Sequence, residues 1–539
     1  MMHLAIATPH QQSRTRNRAV NRVVFSLMAL ALVLYSAGAW AQGAGYWHTS
    51  GAKILDANGA TVRIAGINWY GFEGTNYIAG GIGDQDFHAI LDTIKTLGYN
   101  VVRIPFSNEM VESDPIPTAY TTWADSTAAP SGGPANQALY GQTALADLDT
   151  IVSYAGQIGL RVILDNHRSE AGNSNEPSGL WYTTGYTQAD WIADWKTMAT
   201  RYSASKFTFN GNPTVIAVDL RNEPHLSPSN GVYTGACWTG DTFTSGSYTG
   251  CPVTNTAHNW PVAAELAGNA VLAINPKLLI VVEGIDCYDG SCDWQGGNLM
   301  GVKTNPIVLS VANQLVYSPH DYGPNLYDQP WFTSNTTAAS LAAIWNKYWE
   351  YISAAGTAPV WLGEFGTDNA ASDIENTMAG SQGQWFEDLV AYLAENPNLS
   401  WTNWALNGED PYDLLSSNYA STPVASTKQS ELASIQAPLA APPASFYLSE
   451  SSNTLTIGPS GSYYTTIGVT SMNGAESVTL TVTGLPANVT GTFATNPFTT
   501  TCKLTFTAGS TAAPGVYTLT ITGTTATGTS TETFVLTIS

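Results

Sequence analysis

The chain has 539 residues, which suits one large and one small domain, and only 11% of them are charged. Its formal net charge is −22, from 41 Asp and Glu against 19 Lys and Arg. Nucleic acids and anionic membrane surfaces attract basic proteins, so we expect neither of them as a partner.

The first 41 residues have the pattern of a secretory signal peptide. Four arginines precede an apolar run, 23–35, and Ala39-Trp40-Ala41 fits a cleavage site. The apolar run is short for a membrane-spanning helix. We therefore expect cleavage after residue 41 and an extracellular protein, with a membrane anchor as the alternative.

Export permits disulfide bonds, and four of the five cysteines bracket two loops. Cys237 and Cys251 enclose a Gly/Ser/Thr-rich segment, and Cys287 and Cys292 enclose a shorter one. Of the three pairings that four cysteines allow, we expect these two local bonds, with free buried thiols as the alternative. Cys502 is left over, and we expect it to be buried as a small apolar residue.

Short apolar runs alternate with amphipathic helical patterns over residues 60–430. Eight such units predict a (β/α)8 barrel, whose parallel strands are buried on both faces. A doubly wound sheet is the alternative, but no strand is followed by G-x-G-x-x-G or a P-loop. A hairpin before the first strand is expected to plug the bottom of the barrel. The predicted strands span 61–69, 100–106, 160–167, 215–224, 278–285, 315–322, 359–366 and 399–406.

The composition changes sharply near residue 440. An Ala/Pro-rich stretch, 434–444, predicts a linker after a catalytic domain at 45–433. Beyond it, period-two runs such as "GVYTLTITG" are separated by Gly, Pro and Asn. This pattern predicts a small immunoglobulin-like β-sandwich at 445–539 as an accessory domain.

Polar and aromatic residues follow the predicted barrel strands. The carboxyl ends of barrel strands meet on one face, so these side chains are expected to converge. Three of them are glutamates: two lie on strands four and seven, on opposite sides of the ring, and we expect the third, Glu283 on strand five, to be structural or to support the others. Paired carboxylates with aromatic platforms are what cleavage of a glycosidic bond requires. The converging residues are Asn68, Trp69, Tyr70, Arg103, Asn166, His167, Arg168, Asn222, Glu223, Glu283, His320, Asp321, Tyr322, Glu364 and Trp404.

Five motifs in order carry a family resemblance: "NVVRIPFS", "ILDNH", "LRNEPH", "YSPHDYGP" and "WLGEFGT". With them, the segment from about Gly45 to Ala433 resembles secreted cellulases of glycoside hydrolase family 5. "RIAGINWYGFE" and "AGNAVLAINPKLLIVVEG" resemble actinobacterial-type endo-1,4-β-glucanases in particular. The family has a (β/α)8 barrel, in agreement with the strand pattern.

The resemblance implies a retaining endo-1,4-β-glucanase that acts on cellulose or another β-glucan. Glu223 would be the acid/base, with a pKa raised by the nearby charge of Glu364, the nucleophile. Their carboxyls would be about 5–5.5 Å apart. Arg103 and Tyr322 would hold Glu364 ionised. Substrate would be bound by Asn222 at the sugar 2-hydroxyl, by His167 and His320, and by Trp404 as a stacking floor.

Several alternatives stay open at this point. Different loops on the same barrel would give a β-mannanase or a xyloglucanase, and a non-catalytic carbohydrate-binding protein is a third possibility. Trp69, Trp294 and Trp331 are candidate sugar platforms away from the cleavage point, with core packing as the alternative. Trp238 is a candidate roof of the cleft. Two carboxylates suffice for the reaction, so no cofactor or metal is expected. We expect a monomer whose partner is its polysaccharide substrate.

Overall fold

The computed structural model describes residues 43–117, 136, 138–226, 228–229, 232–233, 235–245, 248–436, 446–471, 477–525 and 529–539. The predicted signal peptide and most of the predicted linker lie outside these ranges. Within the described ranges, no helix has the length and apolar character needed to cross a membrane.

Eight parallel strands form a closed barrel, as predicted. In sheet order they run sixth, fifth, fourth, third, second, first, eighth and seventh. Backbone bridges from Tyr317 to Val360 and from His320 to Glu364 join the two ends. In chain order the strands are Ala65–Asn68, Val101–Ser107, Arg161–Arg168, Val215–Asp219, Leu279–Glu283, Leu315–Ser318, Trp361–Leu362 and Ser400–Asn403.

An antiparallel hairpin closes the bottom of the barrel. The predicted first strand, 61–69, is divided: Thr61–Val62 pairs with the hairpin and only Ala65–Asn68 enters the barrel. Trp47, Ile54 and Val62 pack in one buried cluster with apolar residues from inside the barrel. The plug leaves the opposite end, where the strands finish, open to a ligand. The hairpin strands are His48–Ser50 and Lys53–Leu55.

The helices surround the barrel, and side-chain caps mark where several of them begin. The Asp86 carboxylate accepts from the backbone N–H of His88, and Thr187 and Asp190 form a capping box. No α-helix forms in the connection between strands five and six, 284–314. The α-helices are Phe87–Thr96, Asn108–Ser113, Ala144–Gln157, Gln188–Tyr202, Trp260–Ile274, Ala338–Trp345, Tyr351–Ala354, Ala371–Ile374, Gln382–Glu395 and Ser426–Ser434; Asn346–Glu350 is a π-helix, and Ser205–Phe207 and Met300–Lys303 are 3₁₀-helices.

Short strand pairs lie in the loops that connect the barrel units. They are Thr208–Phe209 with Asn212–Pro213, Pro228–Ser229 with Val232–Tyr233, Thr244–Ser245 with Tyr248–Thr249, and Cys287–Tyr288 with Ser291–Cys292.

The C-terminal residues form two four-stranded sheets around one apolar core, as a β-sandwich requires. Leu504 and Phe506 from one sheet meet Leu519 and Phe534 from the other, and all four are buried. Cys502 is a free, buried cysteine in this core. The strands are Phe446–Glu450, Thr454–Ile457, Ser462–Ser471, Thr479–Thr483, Val489–Phe493, Thr501–Ala508, Gly515–Thr524 and Thr529–Ile538.

Candidate active site

Glu223 follows the fourth barrel strand on a tightly held piece of backbone. The strand ladder ends at Asp219, and the indole N–H groups of Trp191 and Trp195 both donate to the carbonyl of Leu220, at 3.1 and 3.0 Å. Glu223 itself has a φ of +46°, in the left-handed region that non-glycine residues rarely adopt. The surrounding bonds therefore fix where this carboxylate points.

Glu223 and Glu364 face each other at the open end of the barrel. One oxygen of each carboxylate and one ring nitrogen of His320 all lie within 4.8 Å of one another. Inverting glycosidases need carboxyls about 6.5–9.5 Å apart to admit a water molecule, whereas retaining enzymes place them closer. The spacing here favours a direct attack by one carboxylate.

Both oxygens of Glu364 are bound by other side chains. Arg103 Nη1 donates to Oε1 at 2.6 Å, and the Tyr322 hydroxyl donates to Oε2 at 2.9 Å. Burial raises the pKa of Glu364 above its ordinary value, and the charges of His320 and Arg103 only partly oppose that rise. These bonds fix the orientation of the carboxylate, and its buried setting keeps it weakly solvated.

Glu223 accepts three hydrogen bonds. Trp294 Nε1 and His320 Nδ1 donate to Oε1 at 2.6 and 3.0 Å, and Asn175 donates to Oε2 at 3.0 Å. Burial alone would raise the pKa of Glu223, but the bond and charge of His320, together with the Trp294 bond, lower it. The predicted rise in the pKa of Glu223 is therefore wrong, because the bond and charge of His320 and the bond from Trp294 outweigh the effects of burial.

The carboxylates around His320 favour its charged form. Burial opposes its protonation, but the carboxylates of Glu283, Glu364 and Glu223 raise the pKa of His320 well above its ordinary value. A proton on His320 Nδ1 would lie one hydrogen bond, 3.0 Å, from Glu223 Oε1. Glu223 and His320 can therefore share a proton, which the glutamate can present to a leaving group.

Arg103 is the buried hub beneath the cleft. Besides Glu364, its guanidinium contacts Asp165, Asp219 and Glu283 at 3.0–3.3 Å, and all these side chains are fully buried or nearly so. It also bonds the side-chain oxygens of Asn68 and Asn222, at 3.1 and 2.9 Å. A guanidinium with five donors can orient this many acceptors at once, whereas a lysine cannot.

Asn222 and His167 line the cleft beside the glutamates. The Asn222 side-chain oxygen accepts from Arg103, and its amide N–H₂ has no partner among the residues that the structure describes, so it can face a sugar hydroxyl. His167 Nδ1 lies 2.7 Å from Asp165 Oδ2. Burial works against its charge, but the Asp165 carboxylate raises the pKa of His167. Both side chains therefore present donors to the cleft.

Three nearly parallel rings, those of Trp404, Tyr70 and His167, line the cleft together. Trp404 stacks on Tyr70, with ring centroids 5.2 Å apart and planes 7° apart, and on His167, at 5.7 Å and 19°. Trp404 Nε1 donates to Asp410 at 3.0 Å, which locks its orientation. Aromatic faces of this kind pack against the C–H faces of sugars. Tyr70 was a strand-end residue in the sequence, but its sugar-platform position was not predicted.

Trp69 does not line the cleft, so its predicted role as a sugar platform is wrong. Its ring is fully buried in the barrel core and its Nε1 donates to Gly80 O at 2.9 Å. Trp238, the predicted roof, is likewise buried, with Nε1 bonded to Asn305 O. Trp331 packs against the core. Trp294, in contrast, lines the cleft and touches Glu223.

The two expected disulfide bonds, Cys237–Cys251 and Cys287–Cys292, are both present. Their loops are joined to each other: Asp289 accepts from the backbone N–H of Thr242 at 2.9 Å, and its own N–H donates to Asp241 at 3.0 Å. The second loop leads directly to Trp294. The bonded loops therefore support one side of the cleft.

The residues that converge on the cleft leave a volume of about 1070 Å³. Of the residues to which the resemblance assigns a role, Arg103 and His320 are fully buried and contact the glutamates from beneath, so His320 does not line the cleft as predicted. The other six line it: Glu223, Glu364, His167, Asn222, Tyr322 and Trp404. Asn175, Trp294 and Glu283 also touch the glutamates or Arg103. The lining includes Tyr70, Glu73, His167, Asn175, Asn222, Glu223, Trp294, Tyr322, Glu364, Trp404, Glu409 and Asp410.

His320 belongs to two buried clusters of side chains whose atoms lie close enough together to hold a metal ion. One cluster includes Asp219 and Glu283, and the other includes Glu223 and Glu364. The Arg103 guanidinium already contacts Asp219, Glu283 and Glu364. The positive charge that these acids require is thus supplied by arginine and histidine, and the donor set does not call for a metal ion.

Comparison with known proteins places this geometry in a family. The profile of the cellulase family, glycosyl hydrolase family 5, matches residues 55–410. An endoglucanase of Paenibacillus polymyxa is 39% identical over 366 residues, which cover 67% of this chain and 80% of that protein. The major extracellular endoglucanase of Xanthomonas campestris is 31% identical over 404 residues, covering 73% and 72%.

Solved structures show the same likeness. An endocellulase from Pyrococcus horikoshii superimposes with a TM-score of 0.61 at 28% identity, covering 74% of this chain and all of that one. The catalytic domain of the Xanthomonas campestris enzyme gives 0.59 at 30% identity, covering 72% and 99%. With its barrel, its paired glutamates and these matches, the chain belongs to the cellulase family, glycosyl hydrolase family 5.

Proposed function

We propose that this protein is an endo-1,4-β-glucanase that hydrolyses internal β-1,4-glucosidic bonds of cellulose or related β-glucans with retention of configuration. The observation that carries the proposal is the pairing of Glu223 and Glu364. Their oxygens approach within 4.8 Å, and each carboxylate has its own set of donors. The endoglucanase relatives in the same family support the choice of β-glucan.

In the first step Glu364 attacks the anomeric carbon, and Glu223 gives its proton to the departing glucosidic oxygen. Arg103 and Tyr322 hold Glu364 in position for the attack. As the carboxylate becomes an ester it loses its negative charge, so its attraction to Arg103 weakens. The products are a covalent glycosyl–Glu364 ester and a shortened chain with a free 4-hydroxyl.

In the second step Glu223, now ionised, removes a proton from water, and the water attacks the same carbon from the side that the leaving group vacated. The ester breaks, Glu364 is regenerated, and the sugar leaves with its original configuration. Asn222 holds the 2-hydroxyl through both steps, and Trp404 supports the ring.

The wider organisation of the chain forms part of the proposal. We assign residues 1–41 to a signal peptide, 45–433 to the catalytic domain, 434–444 to a linker and 445–539 to an immunoglobulin-like accessory module of a secreted monomer. Supporting features are the N-terminal basic and apolar segments, the two disulfide bonds and the extracellular relative. The likeness to actinobacterial-type enzymes rests on motifs alone.

The test is product release from carboxymethyl cellulose, β-mannan and xyloglucan by the mature protein beside its Glu364→Gln variant. We expect internal cutting of the cellulose derivative and an inactive variant. Glu395→Gln, an exposed glutamate at the end of helix Gln382–Glu395, is the matched control and should stay active. Preferential release of products from mannan would change the assigned substrate to β-mannan. An active Glu364→Gln variant would show that the assignment of the catalytic site is wrong.

A further inference from the structure

Glu283 is a buried carboxylate at the carboxyl end of the fifth barrel strand, and the reaction steps above assign it no part. Its side chain has no exposure to solvent. Its own backbone is fixed, because Trp260 Nε1 donates to its carbonyl at 2.8 Å. A charge this deeply buried is costly, so it must be compensated by specific partners.

One oxygen of Glu283 holds the backbone of Glu223. Oε2 accepts from the Glu223 N–H at 2.7 Å, at the residue whose φ is +46°. The space for this contact depends on Gly296, since a Cβ there would lie 2.5 Å from Glu283 Oε2 and 3.3 Å from Glu223 Cα. The Glu283 carboxylate thus stabilises an uncommon backbone conformation at Glu223, the proposed proton donor, and so helps to set the direction of its side chain.

The other oxygen of Glu283 faces the charged groups of the site. Oε1 lies 3.2 Å from His320 Nε2 and 3.3 Å from Arg103 Nη2. The opposite nitrogen of His320, Nδ1, is 3.0 Å from Glu223 Oε1. Within the described part of the chain Nε2 has no hydrogen-bond partner, so Glu283 acts on the ring through its negative charge at 3.2 Å. The charge of Glu283 therefore favours the imidazolium that stands beside Glu223.

We propose that Glu283 is the positioning residue of the acid/base: it clamps the backbone of Glu223 and, through His320, keeps a proton in reach of the Glu223 carboxylate. This inference rests on the proposed glucanase function. Glu283 does not touch the sugar; it acts through Glu223, both directly and by way of the buried His320. Its loss should therefore impair proton delivery much more than substrate binding.

Glu283→Gln removes the charge at nearly constant size. Proton delivery matters for a poor leaving group and much less for an activated one. For cellotetraose we expect kcat/KM to fall about 10- to 100-fold, a part of the usual contribution of general acid catalysis. For 2,4-dinitrophenyl β-cellobioside, whose leaving group departs without a proton, we expect a fall of less than about 3-fold.

The pH profile is a second readout that a purely structural role would not move. Without the charge of Glu283, the Glu223–His320 pair binds its proton less tightly, so the basic limb of kcat/KM should shift to lower pH. Glu283→Asp keeps the charge and should leave that limb in place while the rate falls. The charged groups around His320 are Glu223, Glu283, Glu364, Arg103, Asp165 and Asp219.

Glu176→Gln is the matched control. Glu176 is also buried, but its described bonds run to Arg221, Ser169 and Ser178. It should show equal effects on the two substrates. Equal losses for Glu283→Gln, or an unmoved basic limb, would overturn the inference. If Glu283→Gln does not fold, Glu283→Asp serves as the test. Its kcat/KM should fall more for cellotetraose than for 2,4-dinitrophenyl β-cellobioside, and equal losses would overturn the inference. A wild-type protein inactive on every β-1,4-glucan would instead refute the function.

Discussion

The indole of Trp294 is a donor to Glu223 that can be removed without removing the aromatic ring. Its Nε1 lies 2.6 Å from Glu223 Oε1 and helps to lower the pKa of that carboxyl. A hydrogen bond to a charged group contributes about 1.5–3 kcal/mol. Because Trp294 is only half-buried, water can replace part of the bond, and we take the lower value. Trp294→Phe should then raise the pKa of the Glu223–His320 pair by about one unit.

The assay is the pH dependence of kcat/KM on a soluble cello-oligosaccharide, which reports the essential acid of the free enzyme. The acid loses its proton at higher pH in Trp294→Phe, so the basic limb should move upward by about one unit. Weaker sugar binding would lower the whole curve without moving this limb.

Trp331→Phe is the control, because Trp331 is half-buried and packs against Phe332 and Tyr348 away from the glutamates. Its basic limb should match that of the wild type. A limb that stays fixed in Trp294→Phe, or that moves to lower pH, would refute the reasoning.

Two further expectations follow from the same structure. Burial raises the pKa of Glu364, and the nucleophile must be ionised to attack. The acid limb of kcat/KM should therefore have a midpoint above the ordinary glutamate pKa of about 4.3. A midpoint below that pKa would contradict this expectation. The Cys237–Cys251 bond spans 14 residues and Cys287–Cys292 spans 5, so replacing each pair with alanine should cost about 3 and about 2 kcal/mol of unfolding free energy. Thermal denaturation would measure both, and the reverse order would count against the loop-closure reasoning.

Much of this site could be predicted from the sequence, because barrel topology fixes where strands end. Glu223 and Glu364 follow strands four and seven, and the closed sheet brings them to one face. Tyr322 and Trp404 follow strand ends for the same reason, whereas Arg103 lies within the second strand, Val101–Ser107. Disulfide pairing can also be predicted from the sequence when two cysteines bracket a short loop.

The orientation of side chains and the distances between them could not be predicted from the sequence in the same way. Trp69 and Tyr70 are neighbours, and the sequence does not say which ring turns toward the core and which toward the cleft. Asn175 and Trp294 lie on loops whose path depends on tertiary packing. The lowered pKa of Glu223 depends on His320 standing 3.0 Å away, and no strand pattern contains that distance.

The central claim is that Glu364 forms a covalent bond to the sugar. A 2-deoxy-2-fluoro-β-cellobioside with a 2,4-dinitrophenyl leaving group slows the second step more than the first, so the intermediate should accumulate. Peptide mass spectrometry should then find one fluorosugar, attached to the peptide that contains Glu364. A label on another residue, or full inactivation with no attached sugar, would contradict the double-displacement mechanism proposed for this site.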